Sequence, residues 1–385
     1  GMEDRERGVE VEAPVTVELL ESIGKQRHTE EHFDHISQWY DCLGSSHTFK
    51  TVFVELSRDQ CVAIAKTREN GRNISTLWRF LDESSTEEDR QKIRDMDPRG
   101  MLNEHQQACL QEAEEGLDDA VRAAGGRAFV RLDTRSPKDA ILNRPLLLKE
   151  LADELERQFA GDGRVQRDEA FRRMGLAYWR AFCTAGAVES GEDALDLMLA
   201  SNRVQEDIQL SQLSQDSGLQ VAAREWAVFW PEYEFRAFVV RNKITAITQY
   251  HESLYIPSHS RMKDQLRSAM LAKFEEVKEL ISAPQGCYTI DFIVHADLSG
   301  DEPALTGEVS VVEINDPPPT AGTSLFDWDN EADQQEILGG DAVLRVVEDF
   351  IHWETQVLHM HPPIVEWFDG WRARRAARGS HCTTM

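Results

Sequence analysis

Two late runs of β-branched and aromatic residues, Cys287 to Val294 and Val309 to Asp316, constrain this chain most. Each carries a carboxylate where an apolar residue would be expected: Asp291 in the first, Glu313 in the second. Both runs are short, rich in Ile, Val, Tyr and Phe, and bounded by polar or glycine-containing turns, so both read as strands. Between them, His295 to Glu308 holds Asp297, Gly300, Asp301, Pro303 and Gly307, a composition that suits a hairpin loop. Pairing the strands would set Asp291 beside Glu313 and Asn315. The latter two lie two residues apart and therefore share a face. Two carboxylates and an amide oxygen on one sheet face make a hard-oxygen site of the kind that suits Mg²⁺ holding a polyphosphate. The plainer alternative is a pair of sheet carboxylates at a solvated edge.

The net charge of -27 over 385 residues would repel a nucleic-acid backbone or an anionic membrane unless a local basic groove intervened. Protein partners or small molecules are the better expectation, and a polyphosphate would need its own cluster of cations. After Gly125 and Gly126 a strand begins at Arg127 and ends in a turn where Arg131, Arg135 and Lys138 concentrate positive charge. The same residues would also suit an exposed strand end paired with local acids. The six cysteines, at 42, 61, 109, 183, 287 and 382, form no CxxC pair and read as reduced thiols of a cytoplasmic protein. No apolar run approaches membrane-spanning length, and the first residues hold no apolar signal core.

Residues 1–30 read as a polar extension with one helix. His32 and His35 near Glu31 offer too few ligands for a metal and read as solvated surface. A strand is expected over 48–56 and a helix over 60–66. In the acidic stretch from Asp82 to Asp119, the residues Leu102, Cys109, Leu110, Ala113 and Leu117 mark an amphipathic helix. The run from Glu83 to Asp89 reads as a solvated linker or a docking surface. Residues 146–213 read as helical, with apolar stripes that are core. A strand over 219–230 is followed by a hairpin, Tyr233 to Val240 and Ile244 to Tyr250, turning at Arg241 to Lys243. Glu234 and Arg236 share one face of it, as an ion pair or as the lining of a site. A helix is expected from Arg261 to Ile281, a rigid loop at Pro317 to Pro319, and a last helix from about Asp341 to Leu358. A basic end follows with Arg372, Arg374, Arg375 and Arg378, and His359 and His361 read as surface. There is no P-loop and no GxGxxG fingerprint.

Taken in order, several segments resemble the cell division cycle protein 123 family, which has an ATP-grasp fold. Gln38–Trp39–Tyr40 with Thr48–Phe49–Lys50–Thr51 is similar to that family's opening. Arg131–Leu132–Asp133 with Ser136–Pro137–Lys138–Asp139–Ala140 resembles its first nucleotide-binding strand and turn, and Val221 to Trp226 resembles the segment that passes the adenine. Glu234–Phe235–Arg236 and Thr248–Gln249 resemble its central hairpin, and Leu325–Phe326–Asp327–Trp328 its closing motif. The resemblance runs from about residue 36 to 350. No single motif is specific, but their order and spacing are.

The resemblance implies an α+β, ATP-grasp-like fold in which two α+β lobes with mostly antiparallel sheets enclose a nucleotide cleft. The corresponding division is 1–30 extension, 31–125 N-terminal part, 126–220 first lobe, 221–358 second lobe and 359–385 tail. It implies ATP and Mg²⁺, with Asp291, Glu313 and Asn315 holding the metal. Arg131, Asp133, Ser136, Arg224, Glu234 and Arg236 would lie at the nucleotide, with Lys138 on the turn as a weaker candidate. The backbone of Val221, Ala222 and Ala223 would bond the adenine edge. The family role is assembly of translation initiation factor 2 through its gamma subunit, here by a monomer. The alternative is ATP-dependent ligation or phosphoryl transfer to another acceptor. Glu313 replaces the family's usual Asp, Asp133–Thr134 replaces Asn–Trp, Arg131 stands for a Lys, and Tyr250 stands where the family has a basic residue. Asp291→Ala or Glu313→Ala is expected to weaken Mg-ATP binding with little loss of fold.

Overall fold

The computed structural model describes residues 15–25, 33–81, 85–160, 165–213, 218–227, 230–300, 302–349 and 366–374. Among them the strands form two sheets. The first contains β1 (Thr51–Ser57), β2 (Ala128–Leu132), β3 (Ala187–Val188) and β4 (Gly218–Glu225), in the order β1-β4-β2-β3 and antiparallel throughout. The second contains β5 (Glu234–Val240), β6 (Lys243–Gln249), β7 (Tyr288–Asp297), β8 (Ala304–Asn315) and β9 (Val343–Arg345), in the order β8-β7-β5-β6-β9. Only β9, which joins β6, is parallel to its neighbour. The expected α+β architecture with mostly antiparallel sheets is what the chain adopts.

Helices cover one face of each sheet. The first lobe carries α3 (Arg58–Arg79), α5 (Glu104–Ala123), α7 (Pro145–Gln158) and α8 (Arg167–Ala185). Local chemistry starts α3 and α5: Ser57 with Gln60, and Asn103 with Gln106, form capping boxes that satisfy the first free N–H groups. Val130 and Leu132 on β2 and Val221 and Ala223 on β4 pack against Ile64, Leu117, Leu151 and Ala177. Strand alternation therefore turns Arg131, Ala222 and Arg224 to the opposite face. In the second lobe α11 (Pro257–Val277) lays Leu266, Met270, Phe274 and Val277 against Phe235, Ala237, Ile290 and Phe292. Each such side chain stabilises the fold by about 1.5–3 kcal/mol relative to exposure. That face consumes the odd-numbered positions of β5, so Glu234 and Arg236 turn away from α11.

The shorter helices are α1 (Val17–Lys25), α2 (Ile36–Leu43), α4 (Glu87–Arg94), α6 (Lys138–Ile141), α9 (Gly191–Ala200), α10 (Asn202–Leu213) and α12 (Glu331–Gly339). α4 buries no residue, as a solvated acidic stretch should. Residues 366–374 are also helical. No helix among the described residues is long and apolar enough to cross a membrane.

Three expectations need correction. The expected lobe boundary at 221 falls inside β4, which is central to the first sheet, and β1 belongs to that sheet as well. The first lobe therefore draws on residues from 51 to 225. The expected last helix from Asp341 does not begin there: Val343–Arg345 is β9, because Val343 and Leu344 pair with Ala246 and Ile247 at an open sheet edge. Residues 346–349 are not helical either, and residues 350–358, together with His32, His359, His361, Arg375 and Arg378, lie outside the described residues. The helix expected over Arg261 to Ile281 starts earlier, with Pro257 at its first turn, and ends at Val277.

α9 and α5 approach so closely that a Cβ on Gly191 would stand 2.1 Å from the Glu114 carbonyl oxygen and 2.7 Å from the Asp118 amide nitrogen. Both contacts are backbone and cannot swing aside. Gly191→Ala is expected to destabilise the first lobe by about 1–3 kcal/mol, read as a lowered midpoint in urea unfolding. An unchanged midpoint would mean that the two helices separate freely.

Candidate functional site

The second sheet's face away from α11 carries one continuous row of polar side chains. Thr248 on β6 is the register partner of Arg236 on β5, Arg236 of Asp291 on β7, and Asp291 of Glu313 on β8. Directly paired residues of neighbouring strands point to the same side, so four adjacent strands present Thr, Arg, Asp and Glu in one line. The next row holds Phe238, Thr289 and Asn315. The pairing of Asp291 with Glu313 expected from the strand pattern is thus formed, and Asn315 joins them: its Nδ2 donates to Asp291 Oδ2 at 3.2 Å.

Arg236 binds Asp291 through both carboxylate oxygens, Nε to Oδ1 and Nη2 to Oδ2, each at 2.8 Å. Asp291 is 1% exposed. Burial pushes its carboxyl up, against the pull of the guanidinium. For Arg236 burial works against the charge, but Asp291 more than offsets it and raises its pKa further. Arg236 also donates to the Gly322 carbonyl at 2.9 Å, and Thr248 Oγ1 accepts from the Leu325 amide at 3.2 Å. These two bonds hang the loop after the triple proline over the row. Phe326 seals it edge-on against Phe238, with ring centroids 5.7 Å apart.

The first sheet contributes from across the cleft. Arg131 pairs with Glu313. Burial opposes the charge of Glu313, yet Arg131 and then Lys138 hold its carboxyl down to about 2. Arg224 is buried and contacts no carboxylate. It donates to the Val312 carbonyl at 2.7 Å and to Thr48 Oγ1 at 2.9 Å, beside the rings of Phe49 and Trp39. Burial pulls it down to about 10, and the neighbouring charge of Arg131 adds to that. Its Nε has no partner. Thr48 in turn donates to the Val311 carbonyl at 2.7 Å, joining β8 to the first sheet.

Lys138 does not sit beyond the cleft. It is half-buried, donates to Tyr250 Oη at 3.1 Å, and is held protonated by Tyr250, Glu313 and Glu234 against the cost of burial. The Arg236 guanidinium lies 5.0 Å from the Tyr250 ring centroid, so Tyr250 stands between two cations. Glu234 is buried beside His251, oxygen to nitrogen 3.4 Å.

Other expected residues serve elsewhere. Asp133 accepts from the Ser37 amide and hydroxyl at 2.8 and 2.6 Å and meets His35, so it anchors α2. Burial opposes its charge, but these bonds from His35 and Ser37 hold its carboxyl low. Arg135 is taken by Asp207 and Glu206, the local pairing weighed from sequence. Ser136 is buried in the turn before α6. The main chain of Val221, Ala222 and Ala223 is not available to an adenine. β4 lies between β1 and β2, and each of the three residues is in register with a partner on both sides. Only the Ala222 side chain faces the cleft. Sequence reasoning missed Thr48, Thr289 and His251, and the only signal was strand alternation beside residues already chosen.

The donor set fits a divalent cation of the hard type. Asp291, Glu313 and the Asn315 carbonyl oxygen are acid and amide oxygens on one face, and the buried Thr289 hydroxyl beside them has no partner. Arg131, Lys138, Arg224 and Arg236 converge on the same place, which suits the anion such a metal carries.

Comparison with known proteins bears on the fold and the family. Residues 177–362 match the D123 family model. The structure of Cdc123 from Schizosaccharomyces pombe is 15% identical and aligns over 82% of this chain and 95% of that one, with a TM-score of 0.50. C-terminally truncated Cdc123 from the same organism is also 15% identical, over 82% and 96%, with a TM-score of 0.51. At that identity the two structures establish the shared fold. No curated protein matches the chain in sequence.

Removing one partner of a buried ion pair leaves the other charge uncompensated. Asp291→Ala is therefore expected to cost about 3–5 kcal/mol of stability, not the small loss that the sequence suggested. Asp291→Ala with Arg236→Met should recover much of it in urea unfolding, and a double variant no more stable than the single would refute the pairing. Glu313 has a folded pKa near 2, below its ordinary 4.5. Its contribution is complete above about 4.5 and is lost as pH falls towards 2. Glu313→Gln should lower stability at pH 7 and flatten the acid limb of the stability–pH curve between pH 5 and 2 relative to wild type. Parallel limbs would contradict the depressed carboxyl.

Proposed function

We propose that the chain, whose residues 177–362 match the D123 family on a Cdc123-like fold, is a divergent member of that family and binds Mg²⁺-ATP in the cleft between its two sheets. The row Arg236–Asp291–Glu313, faced by Arg131, is the observation that carries this reading. Buried ion pairs seldom add net stability over apolar residues of the same shape. A line of them across the centre of a sheet is better explained by a charged ligand.

Asp291, Glu313 and Asn315 would hold the cation, whose role is to shield the charge of the polyphosphate. Arg131 and Arg236 would turn from their carboxylates, and Lys138 from the Tyr250 hydroxyl, towards phosphate oxygens as the carboxylates turn to the metal. Arg224 would stay as the brace between β4 and β8 and add positive potential. Gly322 and Leu325, hung from Arg236 and Thr248, would exclude water from above. The family resemblance extends this reading to an assembly chaperone that engages the gamma subunit of translation initiation factor 2.

Calorimetric titration with ATP, with and without Mg²⁺, tests the site. Asn315→Ala removes no charge, and Glu313→Gln keeps the side chain's shape, with its stability loss measured separately by urea unfolding. Each is expected to weaken Mg²⁺-dependent binding about tenfold or more, the equivalent of about 1.4 kcal/mol for a lost ligand contact. Unchanged affinity in both variants, or no ATP binding by wild type, would sink the assignment. A chaperone should capture the gamma subunit with little turnover. ADP or AMP released only on adding a second substrate would instead identify a ligase or phosphotransferase.

A further inference from the structure

Away from the cleft, at the junction of α3 and α5, three side chains of metal-ligating type converge. Asp59 lies in the first turn of α3, and His105 and Cys109 are four residues apart on one face of α5. One donor atom from each lies within 4.8 Å of the other two. We propose that Asp59, His105 and Cys109 bind a borderline-soft divalent cation, Zn²⁺ foremost, that ties α5 to the start of α3.

Two of the donor separations are close to those of ligands that share one tetrahedral ion. Bond lengths of about 2.0–2.1 Å to nitrogen and oxygen and about 2.3 Å to sulfur put tetrahedral nitrogen and oxygen ligands about 3.3 Å apart, and nitrogen and sulfur about 3.6 Å apart. His105 Nε2 is 3.3 Å from Asp59 Oδ2 and 3.8 Å from the Cys109 sulfur. The sulfur is also 4.0 Å from Nδ1, so the three donors are near enough to share one ion once the exposed His105 ring and Asp59 carboxylate rotate onto it. A surface His–Asp ion pair would explain the first distance but uses no thiol. The thiolate sets the preference: sulfur with imidazole selects Zn²⁺ and its neighbours over Mg²⁺, whereas the cleft offers only oxygen.

Electrostatics favour a cation here. Burial pushes the Cys109 thiol up, and the charges of Asp59 and Glu112 push it further. A dication between Asp59 and the thiol reverses that effect, releases the thiol proton to solvent and leaves the thiolate bound. His105 and Asp59 are 72% and 66% exposed, so the fourth position opens to solvent and water completes it. Because α5 leads through a short turn into β2, which carries Arg131, the metal would brace the first lobe and take no part in chemistry at the cleft.

Co²⁺ titration of the chelator-stripped full-length protein, in excess Mg²⁺, tests the assignment. Wild type should show a sulfur-to-cobalt charge-transfer band that saturates at one ion per chain and is displaced by Zn²⁺. Cobalt in an all-oxygen cleft gives no such band. Cys109→Ser should abolish it, and His105→Ala should weaken binding about tenfold or more, on the scale by which even supporting groups of a metal site matter. No band in wild type, or an undiminished band in Cys109→Ser, overturns the proposal. Should Cys109→Ser fail to fold, His105→Ala and Asp59→Ala, both at exposed positions, decide: undiminished binding in both overturns it as well.

Discussion

The bidentate pair of Arg236 with Asp291 sets the terms for the rest of the second lobe. It sits on β5 and β7, near the middle of a sheet whose other face is sealed by α11. The ladder satisfies the main chain there, so the polarity still to be met is carried by side chains. A guanidinium and a carboxylate taken out of water each lose several kcal/mol of hydration, and only close geometry with further bonds makes the burial tolerable. Those further bonds dictate what lies above. The Gly322 carbonyl must come to Arg236, and the Leu325 amide comes to Thr248, so the loop after the prolines is drawn over the row. The Asn315 amide must come to Asp291, which fixes the end of β8.

Glu313 extends the same demand to the other lobe. A second carboxylate beside Asp291 would be repelled by it, and of the second sheet's cations in that row Arg236 is engaged by Asp291 and Arg345 by Asp333 and Glu336. The compensation comes from Arg131 and Lys138, both supplied by the first lobe. Lobe arrangement and site electrostatics are therefore one problem. Arg224 and Thr48 complete the junction by bonding the carbonyls of Val312 and Val311 on the edge strand. These bonds join strands far apart in sequence and hold the first sheet against the edge of the polar row.

Much of this was legible in order along the chain. The alternation around Asp291 and Glu313 placed both carboxylates and Asn315 on one face, because strand geometry has a strict period of two. The Tyr233–Tyr250 hairpin was legible too, and its turn at Arg241 and Asn242 adopts the left-handed conformation that tight hairpins need. What was not legible depended on which strands become neighbours. Arg131 and Glu313 are 182 residues apart and Arg135 and Asp207 are 72 apart, so no local pattern could assign one arginine to the cleft and the other to the surface. Val343 and Leu344 read as the start of a helix because their strand exists only against the open edge of β6. The three residues of β4 assigned to adenine failed for the same reason. A strand's sequence does not reveal whether it is central, and a central strand has no main-chain edge left to offer.

The cleft's own charge explains how so polar a site can exist in so acidic a chain. Arg131, Lys138, Arg224 and Arg236 face Glu234, Asp291 and Glu313, so the buried groups come close to cancelling among themselves. The formal charge of -27 is carried elsewhere, on surfaces such as α4 and α5, where water and salt screen it. A near-neutral cleft is stable without a ligand, because Asp291 and Glu313 are directly paired with Arg236 and Arg131, and Lys138 lies in the field of Glu313 and Glu234. It is also ready for a neutralised anion, because a metal and a polyphosphate would exchange partners with groups already present rather than add unbalanced charge to the interior. The same reasoning gives Arg224 its place. Like Lys138, whose ammonium bonds the Tyr250 hydroxyl, it has no carboxylate in direct contact; neutral carbonyl and hydroxyl oxygens hold it, and it adds positive potential beside Glu313.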